Sequence, residues 1–434
     1  MASIERTYWK QNLFIMWLSQ FISNVGFSLS LPFAPFYLRS LGLADEGRVR
    51  AYAAMAAALS NLAFAIMSPV WGVLADRYGR KNMVLRANFG GALIVLLMGM
   101  AKKPIWFVML RCCQGLFTGT VSASMTLVAG STPVERQGFA LGFLSTSVFS
   151  GDMTGLFLGG LLAEKFGFQR SFLFSSITLV FSGLLVWIFA RENFTPPVSA
   201  PAKSRRFRQM FDVDWHGWRR VLMPAMPLFT LYIFSTLARY LDNSQFALFV
   251  EYLNGGPGSP NTPRLSSWVL GMGSIGAMFS GVILGRWIDK HASKVARISI
   301  LGAAFFMGMM LLSVTLMPLP RTFFFGVSVA VPVLCLMPLR FMMIFFSAGL
   351  EPVWNTWLSK TTPPERKGLM FGLAATFRSL GAILAHSVAG VLACYLGILS
   401  IFVAGPILFL LLLPLLKYNE KPILEKIKRQ SQTA

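Results

Sequence analysis

Seven charged side chains lie inside stretches of this sequence that are otherwise apolar, and they are the residues best suited to do chemistry. A charge at the middle of a membrane costs about 2.5 to 3.5 kcal/mol on insertion scales, so seven such charges are not expected without a role. We expect them to face one another or a water-filled cavity. The seven are Arg111, Asp152, Arg239, Asp242, Arg340, Glu351 and Arg378.

Asp152 lies in the sequence GDMTG, about fourteen residues into the apolar stretch 138–163. At about 1.5 Å per helical residue, this depth is close to the middle of a membrane. A carboxyl group there can take up and release a proton as its surroundings change, so Asp152 is a candidate for coupling proton flow to transport. The structural alternative is a permanent pair between Asp152 and an arginine.

Arg239 and Asp242 are three residues apart and should be neighbours on one helix face. We therefore predict a fixed local ion pair between them, with Asp242 kept as a second candidate for proton coupling.

Glu351 lies between Gly349 and Pro352, both of which weaken a helix. A kinked helix here would open a polar and aromatic pocket for cationic amphiphiles, with Glu351 as the counter-charge and tryptophan supplying cation-π contact. Alternatively, Pro352 is a hinge and Glu351 pairs with Arg340 or Arg378. We expect Arg378 to pair across the interface between the two halves described below. The candidate cavity residues are Gln114, Glu351, Trp354, Asn355 and His386; for His386, a hydrogen-bonded structural role is the alternative.

The elements that must position these residues are membrane spans. Hydrophobic residues make up 55% of the 434 residues and charged residues 13%, which indicates a membrane protein. Apolar stretches long enough for about 20 helical residues recur twelve times. The stretch 318–333 is also apolar but fits no span cleanly. The twelve lie at 12–38, 51–74, 83–101, 104–127, 138–163, 171–190, 221–250, 265–284, 298–317, 334–358, 369–392 and 394–416.

The sequence contains an internal repeat. TPVERQGFALG at 132–142 recurs as TPPERKGLMFG at 362–372, and Leu110-Arg111 returns as Leu339-Arg340. We therefore predict an all-α membrane protein with twelve transmembrane helices in two homologous six-helix bundles, an arrangement used by transporters. The predicted parts are an N-terminal bundle at 1–190, a cytoplasmic linker at 191–220, a C-terminal bundle at 221–417 and a cytoplasmic basic tail at 418–434.

The net charge is +22, and the basic residues are unevenly divided between the two sides of the membrane that the predicted spans define. With a cytoplasmic N-terminus, 26 of the 39 Lys and Arg fall on the cytoplasmic side, as the positive-inside rule expects. Both termini are then cytoplasmic, and the expected partner of the charge is anionic lipid and not nucleic acid. Residues 1–11 lack a signal-peptidase site, so we expect the first span to be retained.

Several function classes are disfavoured by the motifs. The sequence has no GxSxG, HExxH, P-loop or dinucleotide-binding signature, and its four cysteines lack metal or disulfide spacing. We therefore predict that the protein is not an enzyme and uses no metal or cofactor. Without a nucleotide-binding element, a secondary transporter is favoured over a primary pump.

GVLADRYGRK at 72–81 resembles the signature loop between spans two and three of the major facilitator superfamily, and GRWIDKHASK at 285–294 is its weaker repeat. Such a loop can latch one half against the other and release it during rocking. Anchoring of topology by positive charge is the simpler alternative. The latch candidates are Gly72, Asp76, Arg77, Gly79, Arg80, Lys81 and Asp289.

Spans four and five carry two further motifs. LRCCQGLFTG resembles the superfamily motif with a membrane-embedded arginine, here Arg111, whose implied role is to tune an acid such as Asp152. Span five has the glycine spacing of the antiporter motif, but Leu156 stands where that motif has proline, which puts the proline-dependent kink in doubt. The glycines are Gly142, Gly151, Gly155, Gly159 and Gly160.

Together these motifs resemble the twelve-span drug:proton antiporter family, including bacterial MdtG-type multidrug exporters. This resemblance implies a monomer in the bacterial inner membrane that exports small amphipathic drugs in exchange for protons by alternating access. Membrane lipids are the other expected partner. The alternatives are a lipid or lysolipid flippase, a receptor on a transporter scaffold, and a facilitator or importer of a polar metabolite such as a sugar or siderophore.

Overall fold

The structure is a computed structural model that describes residues 2–117, 119–132, 137–192, 223–316, 321–324, 326–361 and 367–433. For some residues within the helices, the structure describes the backbone but not the side chain and its contacts. Among the predicted site residues these are Gly72, Asp76, Arg77, Gly142 and Asp289. Nearly all of the predicted linker 191–220 lies outside the described residues as well, and the proposed domain boundaries stay predictions.

The first half of the described chain is helical. Its helices are α1 (Ala2–Ser30), α2 (Ala34–Ser40), α3 (Glu46–Tyr78), α4 (Arg80–Gly99), α5 (Pro104–Phe117), α6 (Thr120–Ser131), α7 (Gln137–Phe166) and α8 (Phe168–Phe189). Gly79 separates α3 from α4 with φ of 92°, a conformation that glycine adopts without the steric penalty of a Cβ. The glycine of the signature loop is therefore required by a sharp turn.

In the second half, the described residues form eight α-helices and one short hairpin. The helices are α9 (Met226–Tyr240), α10 (Phe246–Leu253), α11 (Thr262–Ile283), α12 (Gly285–Leu312), α13 (Val331–Ala348), α14 (Leu350–Thr361), α15 (Lys367–Tyr395) and α16 (Leu399–Thr433). Among the described residues, eight helical stretches are long and apolar enough to cross a membrane on their own. Spans four, seven and ten are each divided between two helices, α5 with α6, α9 with α10 and α13 with α14.

The apolar stretch 318–333, which fitted no predicted span, contains an antiparallel hairpin. Strands β1 (Thr322–Phe324) and β2 (Val327–Val329) pair with Thr322 opposite Val329. Arg321 fixes the hairpin to the end of α10, because its Nη1 donates to the Asn254 carbonyl at 2.8 Å and its Nη2 to the Asn254 side chain at 2.9 Å.

The helix pairings of the first half recur in the second half. Helix α1 packs on α7 and α8, and α9 packs correspondingly on α15 and α16. The pairs α3 with α5 and α4 with α8 have the counterparts α11 with α13 and α12 with α16. Between the halves, α7 packs on α11 and α15 packs on α3, which are again equivalent pairs. The prediction of two homologous bundles is therefore confirmed.

Glycines set the distance between the helices. A Cβ on Gly151 would lie 2.5 Å from the Phe21 carbonyl of α1, and a Cβ on Gly381 would lie 2.5 Å from the Ile233 carbonyl of α9. Gly151 and Gly381 are 230 residues apart, the same shift as in the sequence repeat. Small residues at these points let two helix backbones approach closely, so the repeat preserves a packing requirement.

The glycines of the span-five motif allow close packing against two neighbouring helices, α1 and α11. Gly155 and Gly159 face α1 as Gly151 does, whereas Gly160 faces Ser267 and Pro263 of α11 in the other half. Helix α7 runs without interruption from Gln137 to Phe166, with Leu156 in its interior. The glycine spacing thus brings helices together here without a proline at position 156.

We expect Gly155→Ala to destabilise the protein by about 1 to 3 kcal/mol, because its methyl group would overlap the Val25 carbonyl. The matched control is Gly281→Ala, since a Cβ at Gly281 has nothing within 4 Å. That control should be neutral or slightly stabilising, because glycine is unfavourable inside a helix. Thermal unfolding of both variants in detergent measures the difference. Equal unfolding temperatures would contradict the assigned role of Gly155.

Candidate transport site

Asp242 forms a buried ion pair with Arg340, which reaches it from α13. Both side chains are almost fully buried, and the Arg340 guanidinium also lies 4.1 Å from the centroid of the Phe246 ring. The predicted local pair between Arg239 and Asp242 is wrong. Helix α9 ends at Tyr240, so Asp242 lies beyond the last helical turn and does not share the helix face of Arg239.

Arg239 instead forms an ion pair with Glu351, and Glu351 also pairs with Arg378. The Arg378 Nη1 binds one carboxylate oxygen of Glu351, and the Arg239 Nη1 lies 3.5 Å from the other. The alternative in which Glu351 pairs with Arg378 is therefore the one observed. The expectation that Arg378 pairs across the interface between the halves is wrong, since Glu351 belongs to the same half.

These three residues line a polar cleft in the second half. Helices α9, α13, α14 and α15 each contribute to its wall. The lining residues are Tyr232, Ser235, Thr236, Arg239, Tyr240, Ser347, Leu350, Glu351, Trp354 and Arg378. The elements therefore bring together one carboxylate, two guanidinium groups, hydroxyl groups and aromatic rings.

The two tryptophans near Glu351 do not face an open pocket. Trp354 and Trp357 are 1% and 2% exposed, and the Trp354 indole donates to Ser235 Oγ at 3.1 Å. The expected cation-π contact from tryptophan to a substrate is therefore not available in this conformation. Asn355 accepts a hydrogen bond from the Tyr232 hydroxyl at 2.5 Å, so it helps to hold a residue of the cleft wall.

Asp152 lies in the first half, where the side chain of Ser28 donates to its Oδ1 at 2.8 Å. Among the described residues, no ion pair is formed by this carboxylate. Arg111 instead donates to the buried Gln114 of its own helix. Neither the alternative of a static Asp152–arginine pair nor direct tuning of Asp152 by Arg111 is thus supported by these contacts.

His386 connects the cleft to the first half. Its ring makes an edge-on contact with Tyr240, with centroids 6.5 Å apart, and Arg111 lies near enough to act on it electrostatically. His386 is buried, and its Nδ1 has no hydrogen-bond partner within the described part of the chain. The cleft wall at Tyr240 is therefore adjacent to the interface between the halves.

Ion pairs join the two halves at the end of the bundle that carries Arg39, α10 and the start of α11, which we call the Arg39 end. Arg39 Nη1 lies 2.5 Å from Glu251 Oε2, and its Nη2 contacts Glu46 at 2.7 Å. Glu164 and Arg264 form a second pair between the halves at 2.9 Å. Unlike contacts between apolar side chains, these pairs can be exchanged for water as the end opens.

Three hydrogen bonds between the halves lie at the same end. Arg50 Nη1 donates to the Ala393 carbonyl at 2.9 Å, and Gln245 Nε2 donates to the Arg50 carbonyl at 3.1 Å. The thiol of Cys394 lies 3.3 Å from the Gly47 carbonyl. The described conformation is therefore closed by polar contacts at the Arg39 end.

The signature loop lies at the opposite end, which we call the Lys81 end because it carries Lys81 and the end of α8. Lys81 Nζ donates to the carbonyls of Trp187 and Ala190 at 2.9 and 2.7 Å. Glu192 accepts the backbone N–H groups of Arg80 and Lys81 at 2.9 and 2.8 Å. These contacts stay within the first half, and the latch between halves stays a prediction.

Comparison with known sequences identifies the family. A sequence model of the Major Facilitator Superfamily matches residues 16–339 and, a second time, residues 228–433. The chain belongs to the Major Facilitator Superfamily. This family is a class of membrane transporters and not of enzymes, so the predicted multi-pass transporter is confirmed.

Two relatives of this transporter share most of its length. The multi-drug resistance efflux pump PmrA homolog of Lactococcus lactis is 32% identical over 388 residues, which cover 89% of each chain. The multidrug resistance protein MdtG of Salmonella schwarzengrund is 31% identical over 408 residues, covering 92% of this transporter and 94% of the relative.

A solved structure confirms the fold. A bacterial homolog of the human lysosomal transporter Spinster, in an inward-facing and unoccupied conformation, aligns with a TM-score of 0.70. The alignment covers 96% of this transporter and 98% of that chain, at 13% identity. The fold class predicted from the sequence is therefore that of known transporters.

The sequence analysis missed several residues of the site. Tyr232, Thr236 and Tyr240 recur on α9 at a spacing of four residues, a polar stripe on an apolar helix that could have been recognised. Ser28 had no such signal, because its importance follows only from the packing of α1 on α7.

We expect Asp242→Asn to destabilise this transporter by about 3 to 5 kcal/mol, because Arg340 would keep a buried charge without a partner. Adding Arg340→Gln should recover part of the loss, since it removes that charge. Thermal unfolding in detergent ranks the stabilities of the parent, the single variant and the double variant. The control is Asp45→Asn in the exposed pair with Arg48, expected within about 0.5 kcal/mol of the parent. A double variant less stable than Asp242→Asn would contradict this account.

We expect Glu251→Gln to open the Arg39 end more often, because it removes an ion pair between the halves. The native Cys394 reports the change, after Cys112, Cys113 and Cys335 are replaced by serine. Its labelling by a maleimide should accelerate about fivefold, which corresponds to about 1 kcal/mol. Asp45→Asn is the matched control, since Asp45 pairs with Arg48 inside one half. Unchanged labelling in Glu251→Gln would show that this pair does not hold the end closed.

Proposed function

We propose that this transporter exports small amphipathic drugs in exchange for protons, with Asp152 as the group that carries the proton. The observation that supports Asp152 is its position deep in α7, bound to Ser28 and without an ion-pair partner among the described residues. The names of the relatives, which are multidrug efflux proteins, support the class of substrate.

The chemistry follows from the cost of an isolated charge in an apolar environment. A carboxylate without a cation is unfavourable at that depth, and binding a proton removes the charge. When rocking of the halves opens the site to water, the carboxyl group can release the proton again. Asp152 is better suited to this cycle than Asp242 or Glu351, since arginines already neutralise those two acids.

The direction of exchange depends on orientation. The excess of Lys and Arg supports a cytoplasmic Lys81 end and cytoplasmic termini. The Arg39 end, which is closed by ion pairs and hydrogen bonds between the halves, then faces outward, and we propose that a drug enters from the cytoplasm. The bacterial relatives support the inner membrane of a bacterium as the location, and we propose that one chain is the working unit.

We expect Asp152→Asn to abolish drug movement driven by a proton gradient, because asparagine cannot exchange the proton. Ethidium uptake into everted vesicles, started by a pH step, measures this movement. Ethidium exchange without a gradient should persist, since rocking of the halves does not need the carboxylate. Ser28→Ala should shift the pH at which transport is half-maximal but keep the coupling.

Asp45→Asn is the matched control, since Asp45 is an exposed acid at the Arg39 end. It should leave both assays unchanged. Full gradient-driven uptake by Asp152→Asn would show that another group carries the proton. Loss of both uptake and exchange would also contradict a role in coupling alone.

A further inference from the structure

The cleft of the second half contains more positive than negative charge. Glu351 offers one carboxylate, and both of its oxygens already face guanidinium groups, one of Arg378 and one of Arg239. One carboxylate neutralises only one of the two arginines. The cluster of these three residues therefore has a formal net charge of +1.

This excess charge faces the cleft. The side chain of Arg378 is 40% exposed and that of Arg239 is 19% exposed, whereas Arg340 and Asp242 are at 6% and 0%. The pair of Arg340 with Asp242 is thus neutral and sealed. The cluster around Glu351 carries a net charge, and all three of its side chains are partly exposed.

The acids of the neighbouring spans do not cancel the excess. Asp242 is neutralised by Arg340, and Asp152 lies in the first half against Ser28. The charged group of the first half that acts on His386, beside Tyr240, is Arg111. Arg111 adds positive and not negative charge, so the cleft favours an anion by its electrostatics.

The walls around the cluster are fixed and partly apolar. Tyr232 is held by Asn355, and Trp354 is held by Ser235, so the rings have defined positions before any substrate arrives. A guanidinium has five N–H donors in a planar arrangement that matches the two oxygens of a carboxylate. Arg378 and Arg239 therefore offer directed donors in a cleft whose wall residues are held in place.

We infer that this cleft binds amphipathic substrates that carry one negative group, a carboxylate or a sulfonate, through Arg378 and Arg239. The inference rests on the proposed export function and replaces the sequence-based expectation of a cationic substrate at Glu351. The anionic group takes the place next to the guanidinium groups that Glu351 alone does not fill.

The test uses two fluorescent probes that differ only in charge, 11-(dansylamino)undecanoic acid and its methyl ester. Binding of each probe to the purified full-length protein is measured by fluorescence titration, and the ratio of the two affinities is compared between variants. This ratio cancels most differences in detergent partitioning. We expect the acid to bind about tenfold more tightly than the ester.

Two variants should move the ratio in opposite directions. Glu351→Gln leaves both arginines without a carboxylate, so the preference for the acid should rise several-fold. Arg239→Gln leaves a neutral pair of Glu351 with Arg378, so the preference should disappear. Arg378→Lys keeps the charge but loses the planar donor pair, and it should bind the acid at an intermediate affinity. Asp45→Asn should change nothing.

Equal affinities for acid and ester, or an unchanged ratio in Glu351→Gln, would overturn the inference even if Arg239→Gln fails to fold. The proposed function is judged separately by gradient-driven movement, measured for the cation ethidium and for each of the two probes. Coupled uptake without a preference for the acid contradicts the anion site alone. A preference for the acid, without gradient-driven movement of ethidium or of either probe, contradicts the export function alone.

Discussion

The site depends on one constraint: an ionic group inside an apolar bundle needs a partner or access to water. The described structure meets this constraint in three ways. Asp242 and Arg340 neutralise each other in a sealed pair. Glu351, Arg239 and Arg378 neutralise one another only in part and line a cleft. Asp152 has a hydroxyl group in place of a cation. Each arrangement suits a different task, because only incompletely neutralised groups are free to bind a proton or a charged substrate.

The helix scaffold makes these arrangements possible through close approach at glycines. Gly151, Gly155 and Gly159 bring α7 against α1, and this contact is what places Ser28 beside Asp152. Gly160 and its repeat counterpart Gly390 lie against α11 and α3 of the opposite half. One motif therefore serves both the interior of a half and the interface along which the halves move. Side chains added at these positions would disturb both the surroundings of Asp152 and the interface between the halves.

The sequence predicts the spans, the duplication and the seven charges, since these depend on composition and on residues separated by short distances. It does not predict which charges pair. Arg239 and Asp242 are three residues apart, yet α9 ends between them and their partners come from α13, α14 and α15. Trp354 looked like a pocket residue because it follows Glu351, but its helix turns it into the core. Pairing between helices depends on rotation and depth, which neither periodicity nor spacing along one segment specifies.

The duplication was followed by a division of electrostatic roles between the halves. Arg111 and Arg340 are equivalent in the repeat, yet Arg340 is neutralised by an acid whereas Arg111 binds the neutral Gln114. Asp152 corresponds to a position without a carboxylate in the second half, and the cluster around Glu351 has no equivalent in the first. Tyr240 lies on the cleft wall and contacts the ring of His386, so the cleft of the second half lies beside the interface with the first half. The two halves thus share their helix packing but differ in how their buried charges are neutralised, because packing depends on small residues that the repeat retains whereas each charge depends on a partner from another helix.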